Sequence, residues 1–297
     1  ISRYPRKLKE KVLSELDNLD PYKKAKATNY TEYMEGQVGP TLREMFFETY
    51  PEKIWGITTD EMTPEWAPKR IEFRNKITPF YHKQWNAVGK YGTGCIYERI
   101  QKIISELGGK FHFSNEVSQF LFNDKNINGI IFKNGKHLKI QHSEKIISSL
   151  PITLTSRLLG YDSDLTFRGI RSVYLAYNTY RILPDGIHWL YYGAKDISFN
   201  RITEPKKLSP HVSPEDKTYL TVEITFSRGD EIDQMAEEEL IEKISKEVER
   251  VGLVKHKHFI HGSTNKEAFV YPLLKVGYQQ ELAKIKSNIS KYEQLFS

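Results

Sequence analysis

Residues 92–109, with the sequence GTGCIYERIQKIISELGG, mark the point where a helical chain becomes one of alternating strands and helices. Four isoleucines and Leu107 recur at helical spacing, and Gly108-Gly109 is typical of a helix end. Upstream, Pro40 and the pattern Thr41-x-x-Glu44 predict a capped helix start. The upstream helices are predicted over 6–19, from 39 onward and over 63–75.

Downstream of residue 109 the pattern predicts short strands, with Asn134-Gly135 indicating a type I′ hairpin turn. Strands are predicted at 110–113, 117–122, 127–132, 136–141, 145–150, 172–178, 187–192, 197–203, 218–226 and 255–261. Helices are predicted at 152–159, 233–250 and 278–296. The fold class is therefore α/β, or mixed α+β, with helical and sheet portions interleaved.

Composition excludes several classes of protein. The 297 residues are 39% hydrophobic and 28% charged, which fits a folded domain rather than a disordered chain. No apolar run approaches the roughly 18 residues of a membrane span. One cysteine excludes a disulfide framework and fits a reducing cytoplasm.

The net charge of +6 is concentrated at the start of the chain, where residues 1–26 hold eight basic and four acidic residues. Leu8, Val12 and Leu16 recur there at helical spacing, so we interpret the lysines as the solvated face of an amphipathic helix. No stripe of basic residues interleaved with aromatics indicates nucleic-acid binding. A basic protein that binds a polyanion and catalyses no reaction is the remaining alternative.

Several short motifs are weak. Gly92-x-Gly94 before a helix resembles a phosphate cradle but lacks the third glycine and the preceding strand of a dinucleotide fingerprint. The run His256-x-His258-x-x-His261 does not place three ligands on one strand face, so no metal is predicted. Cys95 has no neighbouring base in the sequence.

Arginines near aromatic residues are more informative. Trp55 precedes Arg70 and Arg74, which are four residues apart and share a helix face, and Arg201 follows Phe199. A guanidinium binds diphosphate oxygens in a bidentate manner, and an aromatic face suits a base or sugar.

At these residues the chain resembles a known family. Phe46–Gly56 resembles the "FF..Y..K.WG" segment of UDP-galactopyranose mutases and related protoporphyrinogen-oxidase-like proteins of the FAD-dependent amine-oxidase superfamily. Glu61–Ile71 continues the similarity, Asn200–Lys206 resembles their "TRI.E.K" segment, and Phe269–Pro272 resembles their "YYP" segment.

Two further stretches resemble the places where such chains enter and leave the FAD-binding domain. They are Gly92–Gly109 with Val117, and Ser148–Pro151.

The resemblance implies a fold and a set of site residues. The fold would be an incomplete FAD-binding Rossmann-like domain interleaved with a helical and antiparallel-sheet substrate domain. Residues 1–90 and 152–265 would bind substrate, residues 91–151 would return to the FAD-binding domain, and residues 266–297 would begin a second return. Substrate would contact Trp55, Arg70, Arg74, Arg201 and Tyr271, and FAD would contact Gly92, Gly94, Val117, Ser149 and Pro151.

The resemblance also implies a function. A mutase of this family is an isomerase of a nucleotide sugar for polysaccharide biosynthesis, working through reduced flavin. An FAD-dependent oxidase or desaturase of the amine-oxidase or protoporphyrinogen-oxidase type is the alternative. Lys206-Lys207 stands near where the mutase pattern has histidine, which leaves the substrate open.

The dinucleotide fingerprint GxGxxG and the C-terminal flavin segment of the family have no counterpart in the sequence. We therefore expect a central fragment of a longer flavoprotein, which by itself binds FAD poorly and is inactive. The sequence does not determine whether the protein forms an oligomer.

Overall fold

The computed structural model describes residues 4–67 and 88–297. The chain divides into two compact units, one formed by Ile1–Ile100 with Phe167–Val276 and the other by Gln101–Thr166 with Gly277–Ser297. Arg70, Arg74 and the later part of the helix predicted over 63–75 lie outside the described residues. The described start of that segment is a 3₁₀ turn, Pro64–Trp66.

The structure mixes helices and strands, which confirms the predicted fold class. The helices are α1 (Arg6–Asp17), α2 (Pro21–Ala25), α3 (Tyr30–Val38), α4 (Pro40–Phe46), α5 (Thr49–Trp55), α6 (Gly94–Glu106), α7 (Ile152–Leu158), α8 (Glu231–Gln234), α9 (Glu237–Arg250) and α10 (Tyr278–Ile289). The strands are β1 (Val117–Asn123), β2 (Asn126–Phe132), β3 (His137–Lys139), β4 (Ile146–Ile147), β5 (Phe167–Tyr177), β6 (Trp189–Tyr191), β7 (Arg201–Thr203), β8 (Thr218–Phe226), β9 (Phe259–Pro272) and β10 (Leu295–Phe296). None of the described helices is both long enough and apolar enough to cross a bilayer.

Helices α1, α3, α4 and α5 of the first unit pack around a buried apolar cluster that includes Val12, Met34 and Trp55. Pro40 occupies the first position of α4, as predicted. The predicted capping box is wrong, because Gly39 is the N-cap residue and Thr41 instead donates its N–H and hydroxyl to Glu15.

The five-stranded antiparallel sheet of the first unit has the order β6-β7-β8-β5-β9. Successive side chains along a strand point to opposite faces, so the strand register assigns each residue to a face. One face carries a continuous row of partners across four strands, Leu190, Ile202, Val222 and Val173. This face packs against Leu240, Ile244 and Val248 of α9, and all three are fully buried. It is the apolar core that holds the sheet together.

The second unit contains the antiparallel sheet β1-β2-β3 and the parallel pair β4-β10. Its core joins Phe120 and Ile127 of the hairpin to Ile285 and Ile289 of α10. The predicted type I′ turn at Asn134-Gly135 is wrong, because only Gly135 of the two has positive φ. The N–H of Phe132 donates to the carbonyl of Lys136, which closes a loop of three residues, 133–135.

Other boundaries also differ from prediction. Residues 110–113 form no strand, and the helix predicted over 278–296 ends at Ile289 and is followed by β10. His256–His258 form a 3₁₀ turn rather than a strand, and β9 begins after it. The helix predicted over 233–250 is interrupted after Gln234. There the Arg171 guanidinium donates hydrogen bonds to the carbonyl oxygens of Ile232 and Met235.

Candidate functional site

The second face of the five-stranded sheet is polar and borders a cavity within the first unit. The same register that builds the apolar row places Tyr191, Arg201 and Glu223 side by side on β6, β7 and β8. The cavity has a volume of about 280 Å³. It is lined by Tyr50, Ile54, Trp66, Ile170, Tyr191, Asn200, Arg201, Glu223, Thr225 and Tyr271.

An ion pair lies at the centre of this lining. The Arg201 guanidinium donates a hydrogen bond to the Glu223 carboxylate. Burial lowers the pKa of Arg201, but the hydrogen bond and charge of Glu223, with a contact to the Tyr191 hydroxyl, more than offset this and raise it. Arg201 is therefore a permanent cation, and Glu223 neutralises part of its charge.

Tyr50 and Tyr271 add phenol groups to the same lining. Burial is the main reason that the pKa of each lies above its ordinary value, and the Glu223 charge adds to the effect at both. Both hydroxyls therefore stay protonated near neutral pH and can donate hydrogen bonds to an anionic ligand.

The Thr225 hydroxyl takes part in three hydrogen bonds beside the cavity. Its hydroxyl donates to the Lys53 carbonyl at 3.0 Å and accepts from Asn200 Nδ2 at 2.9 Å. The buried Arg168 guanidinium lies 3.3 Å from the same oxygen and also donates to the Ile54 carbonyl. These bonds fasten β8 to the end of α5.

The Lys53 side chain adds hydrogen bonds to the connection between β6 and β7. Lys53 Nζ donates to the carbonyl oxygens of Tyr192, Ala194 and Phe199, the last at 2.6 Å. Gly56 ends α5 with φ +65°, and a Cβ there would lie 2.7 Å from the Arg168 guanidinium. A glycine is therefore needed at position 56 both by its backbone conformation and by a close neighbour.

A second cavity of about 630 Å³ adjoins the first and shares Tyr50 and Tyr191 with it. These two rings meet edge to face, with centroids 5.6 Å apart. The other lining residues include Met45, Phe46 and Lys195, and Phe46 is 52% exposed. The larger cavity is thus lined mainly by apolar and aromatic side chains, and the smaller cavity beside it contains the Arg201 cation.

The structure brings two of the five predicted substrate residues, Arg201 and Tyr271, into one cavity. Trp55 lies behind this lining rather than in it: it is 3% exposed and packs edge to face on Trp66 and Tyr271, both of which line the cavity. Its role as a substrate contact stays a prediction, as do the roles of Arg70 and Arg74.

The five residues predicted to contact FAD are divided between the two units. Gly92 and Gly94 belong to the first unit, and a Cβ at either would meet no atom of the described part of the chain within 4 Å. Val117, Ser149 and Pro151 belong to the second unit. Ser149 and Pro151 follow the carboxyl end of β4, which pairs in parallel with β10.

Sequence reasoning missed Tyr50, Tyr191, Asn200, Glu223 and Thr225 as lining residues. The signal for two of them is visible in β8, TYLTVEITF, where apolar Leu220, Val222 and Ile224 alternate with residues of the other face. A glutamate on that second face is unusual in a strand. Its pairing with Arg201 depends on strand register, which is a tertiary property.

Comparisons with known proteins agree with this architecture. The family model described as UDP-galactopyranose mutase matches residues 45–256. No match was found among curated protein sequences.

Solved structures resemble the chain over nearly its whole length. The crystal structure of a reduced UDP-galactopyranose mutase has a TM-score of 0.77 and 17% identity, and the match covers 99% of this chain and 66% of that one. A putative protoporphyrinogen oxidase from Exiguobacterium sp. 255-15 has a TM-score of 0.69 and 12% identity, covering 99% and 67%. An oxidoreductase from Methanosarcina mazei has a TM-score of 0.56 and 15% identity, covering 99% and 68%. The chain thus spans slightly less than two thirds of the mutase structure.

The likeness to these structures shows that the chain shares their fold. Because the family model covers more than half of the chain, the chain belongs to the UDP-galactopyranose mutase family.

Proposed function

We propose that this chain is the substrate-binding portion of a flavoenzyme that isomerises a nucleotide sugar, in the manner of a UDP-galactopyranose mutase. The observation that supports this most is the position of Arg201. It is a permanent cation beside two protonated tyrosines and next to the larger, aromatic-lined cavity. A nucleotide sugar has matching parts, namely an aromatic base, a diphosphate and a neutral polyol.

In this proposal each part of the ligand meets a group of suitable chemistry. The base packs in the larger cavity against Tyr50, Tyr191 and Phe46. The diphosphate takes hydrogen bonds from Arg201 and from the tyrosine hydroxyls. Glu223 holds the guanidinium on the cavity face and reduces its net attraction for anions. Arg70 and Arg74 are proposed to add charge to the diphosphate site.

FAD is proposed as the cofactor because the family implies it, and when bound it supplies the nucleophilic and redox chemistry. The described residues fit part of such a site. Ser149 is exposed just beyond the carboxyl end of a parallel strand, which is where open α/β sheets bind nucleotides. Val117 lines a cavity of about 490 Å³ with Arg157 of α7.

Among residues 4–67 and 88–297, no close backbone groups surround Gly92 or Gly94, so the roles of these two glycines rest on the resemblance alone. We propose accordingly that the 297-residue chain binds FAD weakly by itself. Titration of FAD fluorescence measures this, and tight stoichiometric binding would contradict it.

An oxidase or desaturase is the second candidate, and one observation favours it. Glu223 lies among aromatic rings, and a carboxylate in such surroundings also suits an amine cation. The variant Glu223→Gln separates the two candidates, because it removes a negative charge while nearly keeping the shape of the side chain.

For a nucleotide sugar, we expect Glu223→Gln to raise the affinity for UDP several-fold, measured by calorimetry. The exposed Glu44→Gln on α4 is the matched control and should change nothing. A loss of UDP affinity in Glu223→Gln would count against the proposed orientation of Arg201. Wild-type affinity for an amine but not for UDP would favour the oxidase.

Activity is tested on the protein that contains this chain. With dithionite-reduced FAD, we expect interconversion of the pyranose and furanose forms of UDP-galactose, followed by chromatography. Oxygen consumption with an amine or a porphyrinogen, and no interconversion, would contradict the mutase proposal.

A further inference from the structure

The Asn200 carboxamide lies in the lining of the 280 Å³ cavity and is only 4% exposed. Its orientation is fixed by its neighbours. The Thr225 hydroxyl has one proton, which it donates to the Lys53 carbonyl, so its oxygen can only accept from Asn200. The amide nitrogen therefore faces Thr225, and the amide oxygen Oδ1 is left for another donor.

Asn200 Oδ1 is buried and has no hydrogen-bond partner within residues 4–67 and 88–297. The backbone of Asn200 is already used, because its N–H donates to the Glu223 carbonyl and its carbonyl accepts from Tyr192. A buried acceptor that is left unpaired is destabilising. A ligand that brings a donor to this atom recovers that cost.

The charges around Asn200 restrict the kind of donor. The Arg168 guanidinium donates to the Thr225 hydroxyl, which Asn200 also contacts. The Lys53 ammonium donates to the carbonyl oxygen of Phe199, the residue before Asn200, and Arg201 follows Asn200 and lines the same cavity. Three cations disfavour a further positive charge, even though Glu223 offsets one of them. A neutral hydroxyl fits this position better than an ammonium group.

We propose that Asn200 is a specificity-determining residue that accepts a hydrogen bond from a sugar hydroxyl of the bound nucleotide sugar. The inference rests on the proposed function and adds a feature that selects the sugar. A site built to receive a hydroxyl discriminates against an analogue that lacks it, because the acceptor is then buried without a partner. Asn200 thus distinguishes sugars, whereas Arg201 binds the diphosphate that all of them share.

The test compares UDP-galactose with UDP by calorimetry on the full chain. Asn200→Leu, which removes the acceptor at similar volume, should weaken UDP-galactose binding about 10-fold and UDP binding less than 2-fold. Asn178→Leu, at an exposed position after β5, is the matched control and should change neither. Equal losses for both ligands, or no loss for UDP-galactose, would overturn the inference.

A second measurement needs only the wild-type chain and a set of UDP-galactose analogues, each lacking one hydroxyl of the sugar. One analogue should bind about 10-fold more weakly than UDP-galactose. Uniform affinity across the set would overturn the role of Asn200 while leaving UDP binding intact. Absence of UDP binding to the wild type would overturn the proposed function and this inference with it.

Discussion

The two faces of the five-stranded sheet are built from alternate residues of the same strands, yet they have different tasks. On one face Ile202, Val222 and Val173 are fully buried against α9 and contain no polar group to satisfy. On the other face Arg201 and Glu223, one residue away from Ile202 and Val222 in the sequence, form an ion pair that borders a cavity. Substitutions on the apolar face should therefore change mainly stability, and substitutions on the polar face mainly binding.

The largest expected effect is on the apolar face. Ile224→Ala removes a side chain that is 1% exposed, and a substitution of this type costs about 2–5 kcal/mol in the free energy of unfolding. Urea denaturation measures it. Because Ile224 points away from the cavity, the affinity of the folded variant for UDP should stay within 2-fold of the wild type. A selective loss of UDP affinity in folded Ile224→Ala would break the division between the faces.

The next effect concerns the junction between α5 and the polar face. Gly56→Ala forces a side chain into positive φ, which costs about 1–2 kcal/mol, and crowds the Arg168 guanidinium. We expect lower stability in urea together with weaker UDP binding, since Arg168 supports Thr225 beside the cavity. Gly186→Ala, a positive-φ glycine with open space around it, is the control for the backbone cost alone. Identical behaviour of the two variants would exclude a role for the contact with Arg168.

The smallest effect is a pH dependence at Lys53. Burial lowers the pKa of this lysine to about 8, against the charges of Glu247 and Asp196. Between pH 8 and its ordinary pKa the folded chain binds fewer protons at Lys53 than the unfolded chain does, so this residue makes stability rise with pH in that window. Because the side chain is partly exposed, we expect a contribution of about 1 kcal/mol.

Lys53→Met should lack this rise, and the comparison is the unfolding free energy of wild type and variant at pH 7.5 and pH 9.5. The buried tyrosines titrate equally in both proteins and cancel in the difference. A difference between the two proteins that does not change with pH would contradict the lowered pKa.

The apolar face could be predicted from the sequence, and the polar face only in part. The strand predicted over 218–226 is confirmed residue for residue as β8, because its apolar side chains alternate regularly. β9 was predicted only over 255–261, and its true extent of 14 residues, FIHGSTNKEAFVYP, was missed. Its middle is polar and exposed, since among the described strands it pairs only with β5 at one edge of the sheet.

The candidate site, too, could be predicted from the sequence only in part. Arg201 and Tyr271 were found through the resemblance of short segments, but their meeting in one cavity depends on how β7 and β9 lie in the sheet. Glu223 and Thr225 lie in no motif, and Asn200 stands in the segment that resembles "TRI.E.K" without being singled out there. The importance of all three comes from hydrogen bonds to residues distant in the sequence. The break between α8 and α9 was likewise invisible, because Arg171 on β5 causes it.

The most direct test of the central claim, that the polar face of this sheet is the ligand site, is a calorimetric titration of UDP into the wild-type chain and Arg201→Ala. A charge-assisted hydrogen bond contributes about 1.5–3 kcal/mol, so we expect the variant to bind UDP at least 10-fold more weakly. Removing Arg201 also leaves Glu223 unpaired in the cavity, which adds to the loss. Equal UDP affinity in the two proteins would contradict the account.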